Sequence, residues 1–384
     1  MNGMNKLFDL DQRPAEQIDV AVLGGGIVGL AAAYFLASRG KRVAVLERRT
    51  FGWEASGRTA AGVRQQGRDP REIPLAMAAV RLWGTLHREL QGETGYRRDG
   101  NVFVAISPQG MAVLEDHEAR ERAAGLGVEL LTAAQLRARV PAMSDRCVGG
   151  KYCPTDGIAE PALAMRSLAR AAARAGAKVY EETEALDFAV TDRRITAIFT
   201  TRAEFRPEAT IVAAGPWTPL LMARLGLRVP IVPVRSQLVQ TEPMAPVCKE
   251  FVIARELDVF CRPGSGGTML MGGECIRDEL DPGAAAETAR RQIGVCLPAL
   301  KTAPAQRVWA GLLDVTPDEV PLIGPLPGIR DCFIAAGFTG HGFCLGPAVG
   351  RLLAEWVAAG DPSLPLPQLS PARFLPQSVP ARSS

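Results

Sequence analysis

Alternating apolar and polar blocks predict a β-α-β unit near the start of the chain. Apolar runs at 18–23 and 42–47 have the length of buried strands, and the alanine-rich stretch 30–40 between them has the length of a helix. A glycine-rich turn precedes this helix, and Gly40 stands where a C-terminal cap is expected. Because two strands joined through one helix pair in parallel, this block predicts a parallel sheet.

The rest of the chain continues in helices and strands, and the type of sheet changes along it. The predicted helices span residues 72–90, 109–125, 161–175 and 283–297. An apolar strand is predicted at 101–106, and several more follow between 178 and 215. Frequent β-branched residues and prolines over 229–263 indicate a mixed sheet. The last block returns to strand, glycine loop and helix, and the helix is predicted to open at Pro347.

This order of elements predicts an α/β protein with a Rossmann-like domain for a dinucleotide and an α+β second domain with a mixed sheet for the substrate. A chain of 384 residues has room for about two domains. The predicted dinucleotide-binding domain is discontinuous and comprises residues 18–95, 146–226 and 306–384. The predicted substrate-binding domain comprises residues 96–145 and 227–305.

Composition and charge argue against several classes of protein. The 44 basic and 41 acidic residues leave a net charge of +3, which gives no electrostatic reason to expect a nucleic-acid partner. The uncharged stretches 20–38 and 332–350 are long enough to be considered as membrane spans, but their glycines argue against transmembrane helices. Residues 1–17 lack the pattern of a signal peptide. We therefore expect a cytoplasmic protein, with peripheral attachment to the inner membrane through partners as an alternative.

Cysteines and histidines give no pattern of metal ligands. The eight cysteines form no C-x-x-C pair, and no histidine stands at metal-ligand spacing from two of them. The sequence therefore predicts free thiols and no metal site. His87 and His117 lie in helical patterns that mix apolar and charged positions, and both are predicted to be surface residues.

The glycine turn of the first unit carries a dinucleotide-binding fingerprint. Gly24, Gly26 and Gly29 have the G-x-G-x-x-G spacing directly after a strand and at the start of a helix. These glycines allow a tight turn, the approach of backbone to a pyrophosphate, and close packing of helix on strand. The helix start presents free N–H groups to the phosphates. Glu47, at the end of the next strand, can accept hydrogen bonds from ribose hydroxyls.

Three features favour FAD over NAD as the dinucleotide. The loop 54–62 has small residues that let backbone lie close to a ring system. The apolar strand at 210–217 ends in Ala-Ala-Gly, an edge that can contact adenosine. The glycine loop 337–346 opens a helix whose positive dipole end would face the negative charge of a reduced flavin.

These segments resemble the D-amino-acid-oxidase-type family of FAD-dependent amine oxidoreductases, which includes glycine and sarcosine oxidases. Residues 55–69, 308–325 and 337–350 are particularly similar to the FAD-bearing β subunits of heteromeric amino-acid and opine dehydrogenases. The resemblance implies an FAD-binding domain, a mixed-sheet substrate domain, and oxidation of CH-NH or CH-NH2 donors by hydride transfer to flavin N5. Together with the fingerprint, it predicts cofactor contacts from Gly24, Gly26, Ile27, Val28, Gly29, Glu47, Arg48, Ser56, Arg58, Ala60, Ala61, Gly62, Ala185, Ala214, Gly215, Trp217, Gly311, Gly340, His341, Gly342 and Phe343.

The chain departs from the better-known members at two places. Glycine-oxidase-like enzymes have an arginine for the substrate carboxylate in an A-G-L-R segment, whereas this chain has Leu313 at the end of Ala310-Gly311-Leu312-Leu313. Monomeric sarcosine oxidase bonds its flavin through a cysteine in the corresponding segment and has a lysine after G-H-G-F. This chain has no cysteine in the first stretch and has Cys344 in place of the lysine. The resemblance therefore implies non-covalent FAD.

The resemblance retains one candidate residue for binding the substrate carboxylate. Arg64 matches an arginine that lies over the flavin in sarcosine oxidase, and a guanidinium can bind a carboxylate through two hydrogen bonds. Arg64 and His341 are the predicted catalytic residues. The alternatives are a salt-bridged or solvated loop arginine for Arg64, and packing or hydrogen bonding close to the flavin for His341. Arg235, Arg255 and Arg262 are further candidates for the anchor.

The resemblance also bears on the electron acceptor. The lysine that sarcosine oxidase uses to speed reaction with oxygen falls at Leu270 or its neighbour, and no lysine stands between Lys249 and Lys301. The sequence therefore favours a dehydrogenase of an amino acid or N-substituted amino acid, such as an opine or a cyclic imino acid. Its electrons would pass to a partner subunit or a respiratory acceptor.

Implied partners are small ferredoxin-like chains with iron–sulfur clusters, or subunits with FAD/NAD-type electron-transfer roles. Two alternatives stay open: a free-standing oxidase that makes hydrogen peroxide, and a flavin-binding scaffold subunit without a substrate pocket. The sequence does not decide whether a second flavin such as FMN lies at a subunit interface.

Overall fold

The structure, a computed structural model, describes residues 15–277 and 281–375. The strands are β1 (Glu16–Leu23), β2 (Val43–Leu46), β3 (Gly62–Val63), β4 (Asn101–Ala105), β5 (Glu129–Thr132), β6 (Gly149–Cys153), β7 (Gly157–Ile158), β8 (Lys178–Tyr180), β9 (Ala185–Thr191), β10 (Arg194–Thr200), β11 (Glu204–Val212), β12 (Val232–Thr241), β13 (Phe251–Ala254), β14 (Val259–Pro263), β15 (Met269–Arg277), β16 (Ala305–Val315), β17 (Leu322–Pro325) and β18 (Cys332–Ala336). The α-helices are α1 (Ile27–Ala37), α2 (Ile73–Glu89), α3 (Pro108–Ala123), α4 (Ala133–Arg139), α5 (Pro161–Arg174), α6 (Thr218–Arg224), α7 (Pro282–Cys296) and α8 (Gly342–Ala359).

The first sheet has the order β17-β18-β11-β1-β2-β8. Strands β18, β11, β1, β2 and β8 run parallel, whereas β17 pairs with β18 in antiparallel orientation and β9 and β10 extend from β11 as an antiparallel pair. The predicted β-α-β unit is therefore confirmed as β1, α1 and β2. Helices α1, α2, α5 and α8 share one hydrophobic core with the sheet.

Helix α8 packs closely on α1, and this packing explains two of its glycines. A Cβ atom at Gly350 would lie 2.5 Å from the Cβ of Ala31, and one at Gly346 would lie 2.6 Å from a methyl carbon of Ile27. Helix α8 begins at Gly342, so the predicted start at Pro347 was wrong. The glycine-rich first turn resembles a loop in sequence, but it is helical because it is buried against α1 and α2.

The second sheet is mixed and has the order β16-β12-β15-β14-β13-β4-β6-β5. Only β13 and β4 pair in parallel in this sheet, as far as residues 15–277 and 281–375 are concerned. Helix α7 covers one face of it and contributes to a separate hydrophobic core. Two sheets with separate cores agree with the predicted Rossmann-like unit and mixed-sheet unit.

Two strands pair within the mixed sheet although the predicted boundaries place them in the dinucleotide-binding domain. The domain boundaries stay a prediction. Strands β6 and β16 belong to the mixed sheet, although most of β16 and all of β6 fall in the ranges 146–226 and 306–384 predicted for the dinucleotide-binding domain. Residues 376–384 of the last range lie outside the described residues. In the described part of the chain, no helix is both long and apolar enough to cross a membrane.

Candidate functional site

The glycine turn between β1 and α1 is shaped by two close backbone approaches. Gly24 has a φ of 112°, and a Cβ atom there would lie 2.4 Å from the carbonyl oxygen of Ala213. A Cβ atom at Gly29 would lie 2.0 Å from the carbonyl oxygen of Gly24. Gly26 is the N-cap of α1 and gives the helix no side-chain cap. Ser56 Oγ accepts the Ile27 N–H at 3.0 Å, and the other N–H groups of the first turn stay available to an anion.

Glu47 follows β2 and braces the glycine turn. Its carboxylate accepts the Gly25 N–H at 2.8 Å and the Arg49 N–H at 2.7 Å. Burial raises the pKa of Glu47, although these two hydrogen bonds oppose the shift. The carboxylate thus lies beside the helix start, where a ribose attached to a bound pyrophosphate would be expected.

A cavity of about 600 Å³ opens at this turn. Its walls include nine of the predicted cofactor residues: Gly24, Gly26, Glu47, Arg48, Ser56, Ala185, Ala214, Gly215 and Trp217. The Arg48 guanidinium stacks on the Trp217 ring at 4.8 Å. Ile27, Val28 and Gly29 are buried in α1 and do not line the cavity. Sequence reasoning missed Trp53 and Leu220, which line the cavity and are exposed apolar side chains.

A second cavity of about 600 Å³ lies between the mixed sheet and the loops that follow β2 and β18, and it shares Ala55 with the first. Its walls include the predicted residues Arg58, Ala60, Gly62, Arg64, Gly311, Gly340, His341 and Phe343. Ala61 and Gly342 are not on its walls. Ala61 has a φ of 54°, and its carbonyl accepts the Ala159 N–H at 3.0 Å. Ala61 therefore helps to fix the conformation of the loop without lining the cavity.

The loop 54–58 is fixed against β16. The Arg58 guanidinium donates to the Ala310 carbonyl at 2.7 Å, and the Trp309 indole N–H donates to the Arg58 carbonyl at 3.1 Å. Glu54 accepts the Leu312 N–H at 3.0 Å. A Cβ atom at Gly311 would lie 3.2 Å from the Cβ of Arg58. Arg58 therefore holds the two sheets together at the junction of the cavities.

Arg64, His341 and Glu72 form a hydrogen-bonded row on the wall of the second cavity. Arg64 Nη2 lies 3.3 Å from His341 Nε2, and His341 Nδ1 lies 3.0 Å from a carboxylate oxygen of Glu72. Glu72 is fully buried at the start of α2, where sequence reasoning missed it. Because a carboxylate accepts the Nδ1 proton, Nε2 is left as an acceptor for the Arg64 guanidinium.

Burial and neighbouring charges keep His341 neutral in this row. Burial and the nearby Arg68 lower the pKa of His341 from 6.5 to about 4, although Glu72 opposes them. Burial alone would raise the pKa of Glu72, but His341, Arg68 and Arg64 together lower it. His341 is therefore a neutral hydrogen-bonding residue at pH 7, in keeping with the predicted alternative of packing and hydrogen bonding near a flavin.

Positive charge gathers around Arg64. Arg64 and Arg255 both donate to the Gly67 carbonyl at 3.2 Å, and both guanidinium groups lie within 6 Å of the Phe103 ring centre. Arg68 donates to the Arg64 carbonyl at 2.9 Å. Burial and the charges of Arg68 and Arg255 lower the pKa of Arg64 to about 9. Arg64 therefore stays protonated at pH 7 and can bind an anion.

The three other arginines considered as the carboxylate anchor differ in their position relative to the second cavity. Arg255 lines the second cavity, whereas Arg235 does not. Arg262 is buried, donates to the Ala60 carbonyl and pairs with Glu160, so it fixes the loop and does not face the cavity. His117, predicted as a surface residue, lines the cavity wall; His87 is exposed as predicted. The mixed pattern of α3 gave no signal of which face meets the second sheet.

The state of His341 can be measured by nitrogen NMR, because the chain has only three histidines. We expect the His341 ring to be neutral, with its proton on Nδ1, from pH 8 down to about pH 5, since its pKa is lowered to about 4. Glu72→Gln should weaken the preference for that tautomer because the carboxylate acceptor is lost. A His341 signal that titrates at or above pH 6.5 would contradict this assignment.

The turn, the acid and the two joined cavities fit a dinucleotide. The glycine positions leave a cradle that a Cβ would fill, the N-cap residue Gly26 supplies no side-chain cap, and the arginines suit a carboxylate beside a planar ring. Fold and site therefore define a dinucleotide-binding protein of the Rossmann type with an arginine-lined cavity beside its cofactor cleft.

Comparison with known proteins gives the family. The family described as "DAO: FAD dependent oxidoreductase" matches residues 19–356, and the chain belongs to this family. It is 30% identical to a glycine oxidase of Geobacillus kaustophilus over 93% of this chain and 97% of that protein. FAD is therefore its cofactor, and the predicted family is confirmed.

Two further relatives extend the comparison. The structure of an L-proline dehydrogenase from P. horikoshii matches with a TM-score of 0.88 and 28% identity, over 94% of this chain and 98% of that one. The human mitochondrial sarcosine dehydrogenase is 28% identical over 90% of this chain, but the match covers 40% of that protein. This chain therefore corresponds to less than half of that protein.

Proposed function

We propose that the protein is an FAD-dependent dehydrogenase of an amino acid or N-substituted amino acid, such as an opine or a cyclic imino acid. The observation that carries the proposal is the Arg64 guanidinium, held by His341 on the wall of a cavity that joins the cofactor cleft. Bound FAD supplies the acceptor for a hydride from the carbon beside the substrate nitrogen.

The chain's own residues position the substrate. Arg64 binds the carboxylate with its remaining N–H groups, so the adjacent C–H is held in one orientation. Neutral His341 accepts a hydrogen bond from Arg64 and adds no competing charge. The start of α8 at Gly342 lies beside Gly340 and His341 on the cavity wall, so its N–H groups favour negative charge developing there. The open cavity of about 600 Å³ argues against the scaffold alternative, which needs filled space.

The choice of a dehydrogenase rests on the electron acceptor. The described walls of the second cavity hold no lysine, and Leu270 is buried in β15 and away from those walls. The likeness to L-proline dehydrogenase supports an acceptor other than oxygen, and we propose that electrons pass to a partner subunit or a respiratory acceptor. The likeness to glycine oxidase favours the second candidate, a free-standing oxidase that makes hydrogen peroxide.

Anaerobic bleaching of the flavin tests both functions. The purified protein, alone and with co-purifying partners, is mixed with opines, proline analogues, D-amino acids and sarcosine, and absorbance near 450 nm is followed. We expect one amino-acid-like compound to bleach the flavin and air to restore the colour slowly. Fast recovery with hydrogen peroxide would establish the oxidase instead. A flavin that no compound bleaches would contradict both.

A further inference from the structure

The second cavity holds more positive charge than one substrate carboxylate requires. Arg64, Arg68 and Arg255 hydrogen-bond to carbonyl oxygens or to the His341 ring, and in the described part of the chain none of them has a carboxylate partner. Arg68 is only 8% exposed, and its Nη1 has no hydrogen-bond partner. Like charges this close repel each other, so the free protein bears a free-energy cost that an anion would relieve.

The acidic residues on the cavity wall form no ion pair with the three arginines. Glu72 is hydrogen-bonded to the neutral His341, and the charges of Arg64 and Arg68 help to lower its pKa. Asp69 and Asp318 form ion pairs with Arg71, and Asp258 and Glu319 line the wall without an ion pair to Arg64, Arg68 or Arg255. The Arg255 guanidinium is therefore left without a carboxylate partner in the described part of the chain.

Arg64 and Arg255 come to the cavity from different elements of the fold. Arg64 follows β3 in the loop beside the cofactor cleft, whereas Arg255 follows β13 in the mixed sheet. They share the Gly67 carbonyl as a hydrogen-bond acceptor, so their guanidinium groups are neighbours. The Arg255 guanidinium uses one N–H in that bond, and its other N–H groups make no hydrogen bond within the described residues. A second carboxylate could bind there while Arg64 binds the first.

We propose that Arg255, with the added positive potential of Arg68, forms a subsite for a second substrate carboxylate. The inference rests on the proposed function and narrows its substrate class to N-carboxyalkyl amino acids, in which a secondary amine lies between two carboxylates. The missing arginine of the Ala310 to Leu313 segment agrees with this placement, since the anion-binding groups lie on the other walls.

The test uses glutarate and its monoamide glutaramate, which have the same chain length and differ by one negative charge. Glutarate has a methylene where iminodiacetate has its amine, so it cannot be oxidised there. Calorimetry on the FAD-loaded protein should show that glutarate binds about ten-fold more tightly than glutaramate, because a charged hydrogen-bond pair is added. Arg255→Gln should bring the ratio of dissociation constants close to one. Arg235→Gln, an arginine off the cavity, should leave it unchanged.

Equal affinity for the two ligands, or a preference that survives in Arg255→Gln, would overturn the subsite. Flavin reduction by iminodiacetate and by sarcosine is measured in parallel and reports on the proposed function separately. If amines bleach the flavin but glutarate shows no preference, only the subsite fails. If glutarate is preferred but no amine bleaches the flavin, the subsite stands and amine oxidation fails.

Discussion

Replacing Gly29 with alanine should give a protein that no longer retains FAD. The new Cβ would lie 2.0 Å from the carbonyl oxygen of Gly24 and 3.1 Å from its carbonyl carbon, and backbone atoms cannot rotate away as a side chain can. The turn would have to move, but it has little room at Gly24, where a Cβ atom would lie 2.4 Å from the Ala213 carbonyl oxygen. We expect the FAD content of purified Gly29→Ala, measured by absorbance after denaturation, to fall close to zero.

A matched glycine provides the control. Gly84 lies in α2, is exposed, and has no atom within 4 Å of a Cβ built on it. Gly84→Ala should keep full FAD content and raise stability by about 0.5–1 kcal/mol, because alanine loses less conformational entropy in a helix. Full FAD retention in Gly29→Ala would show that the turn can adjust and that this contact does not shape the site.

Loss of FAD in Gly29→Ala could also follow from misfolding of the protein. Glu47→Gln tests the cofactor site by a change that leaves the backbone packing of the glycine turn in place. Glutamine has nearly the same size as glutamate, and its amide oxygen can still accept the Gly25 N–H, whereas the exposed Arg49 N–H loses its carboxylate acceptor and bonds to water instead. The circular dichroism spectrum should be unchanged, whereas FAD should bind about ten-fold more weakly because a charged acceptor for the ribose is lost. Unchanged FAD affinity would exclude Glu47 as that acceptor.

Arg64→Gln should slow reduction of the flavin on the order of 100-fold or more, because the carboxylate loses the two-point contact that orients the reacting C–H. Arg64→Lys should recover only part of the rate, since an ammonium group keeps the charge but not the planar fork. The rate is measured by anaerobic stopped-flow absorbance with the substrate that bleaches the wild-type protein. Thermal stability and FAD content are measured on the same samples.

Two results would assign Arg64 a structural role. Its bonds to the Gln66 and Gly67 carbonyls could stabilise the loop, in which case Arg64→Gln would lower the melting temperature and leave the saturated reduction rate within a few-fold of wild type. Arg235→Gln serves as the control for loss of an arginine away from the cavity. The proposal needs the opposite pattern, in which the rate falls and stability changes little.

Much of the fold could be predicted because it depends on local patterns. Residues that form β1, α1 and β2 are contiguous, and their glycine spacing alone indicates the turn that a dinucleotide needs. The predicted helices at 72–90 and 161–175 agree with α2 and α5 to within one residue. The start of α8 was missed, because its glycines disfavour a helix locally and only burial against α1 offsets that preference.

By itself, the sequence determined the family and the FAD-binding turn, because each depends on residue types at fixed spacing, and the resemblance predicted Arg64 as an anion anchor. The tertiary structure decided what surrounds Arg64. Glu72 and His341 are 269 positions apart in the chain, and Arg255 is 188 positions from Gly67, whose carbonyl it shares with Arg64. Hydrogen bonds and charge repulsion act over a few ångströms in space, whereas spacing along the chain gives no measure of which distant side chains come that close.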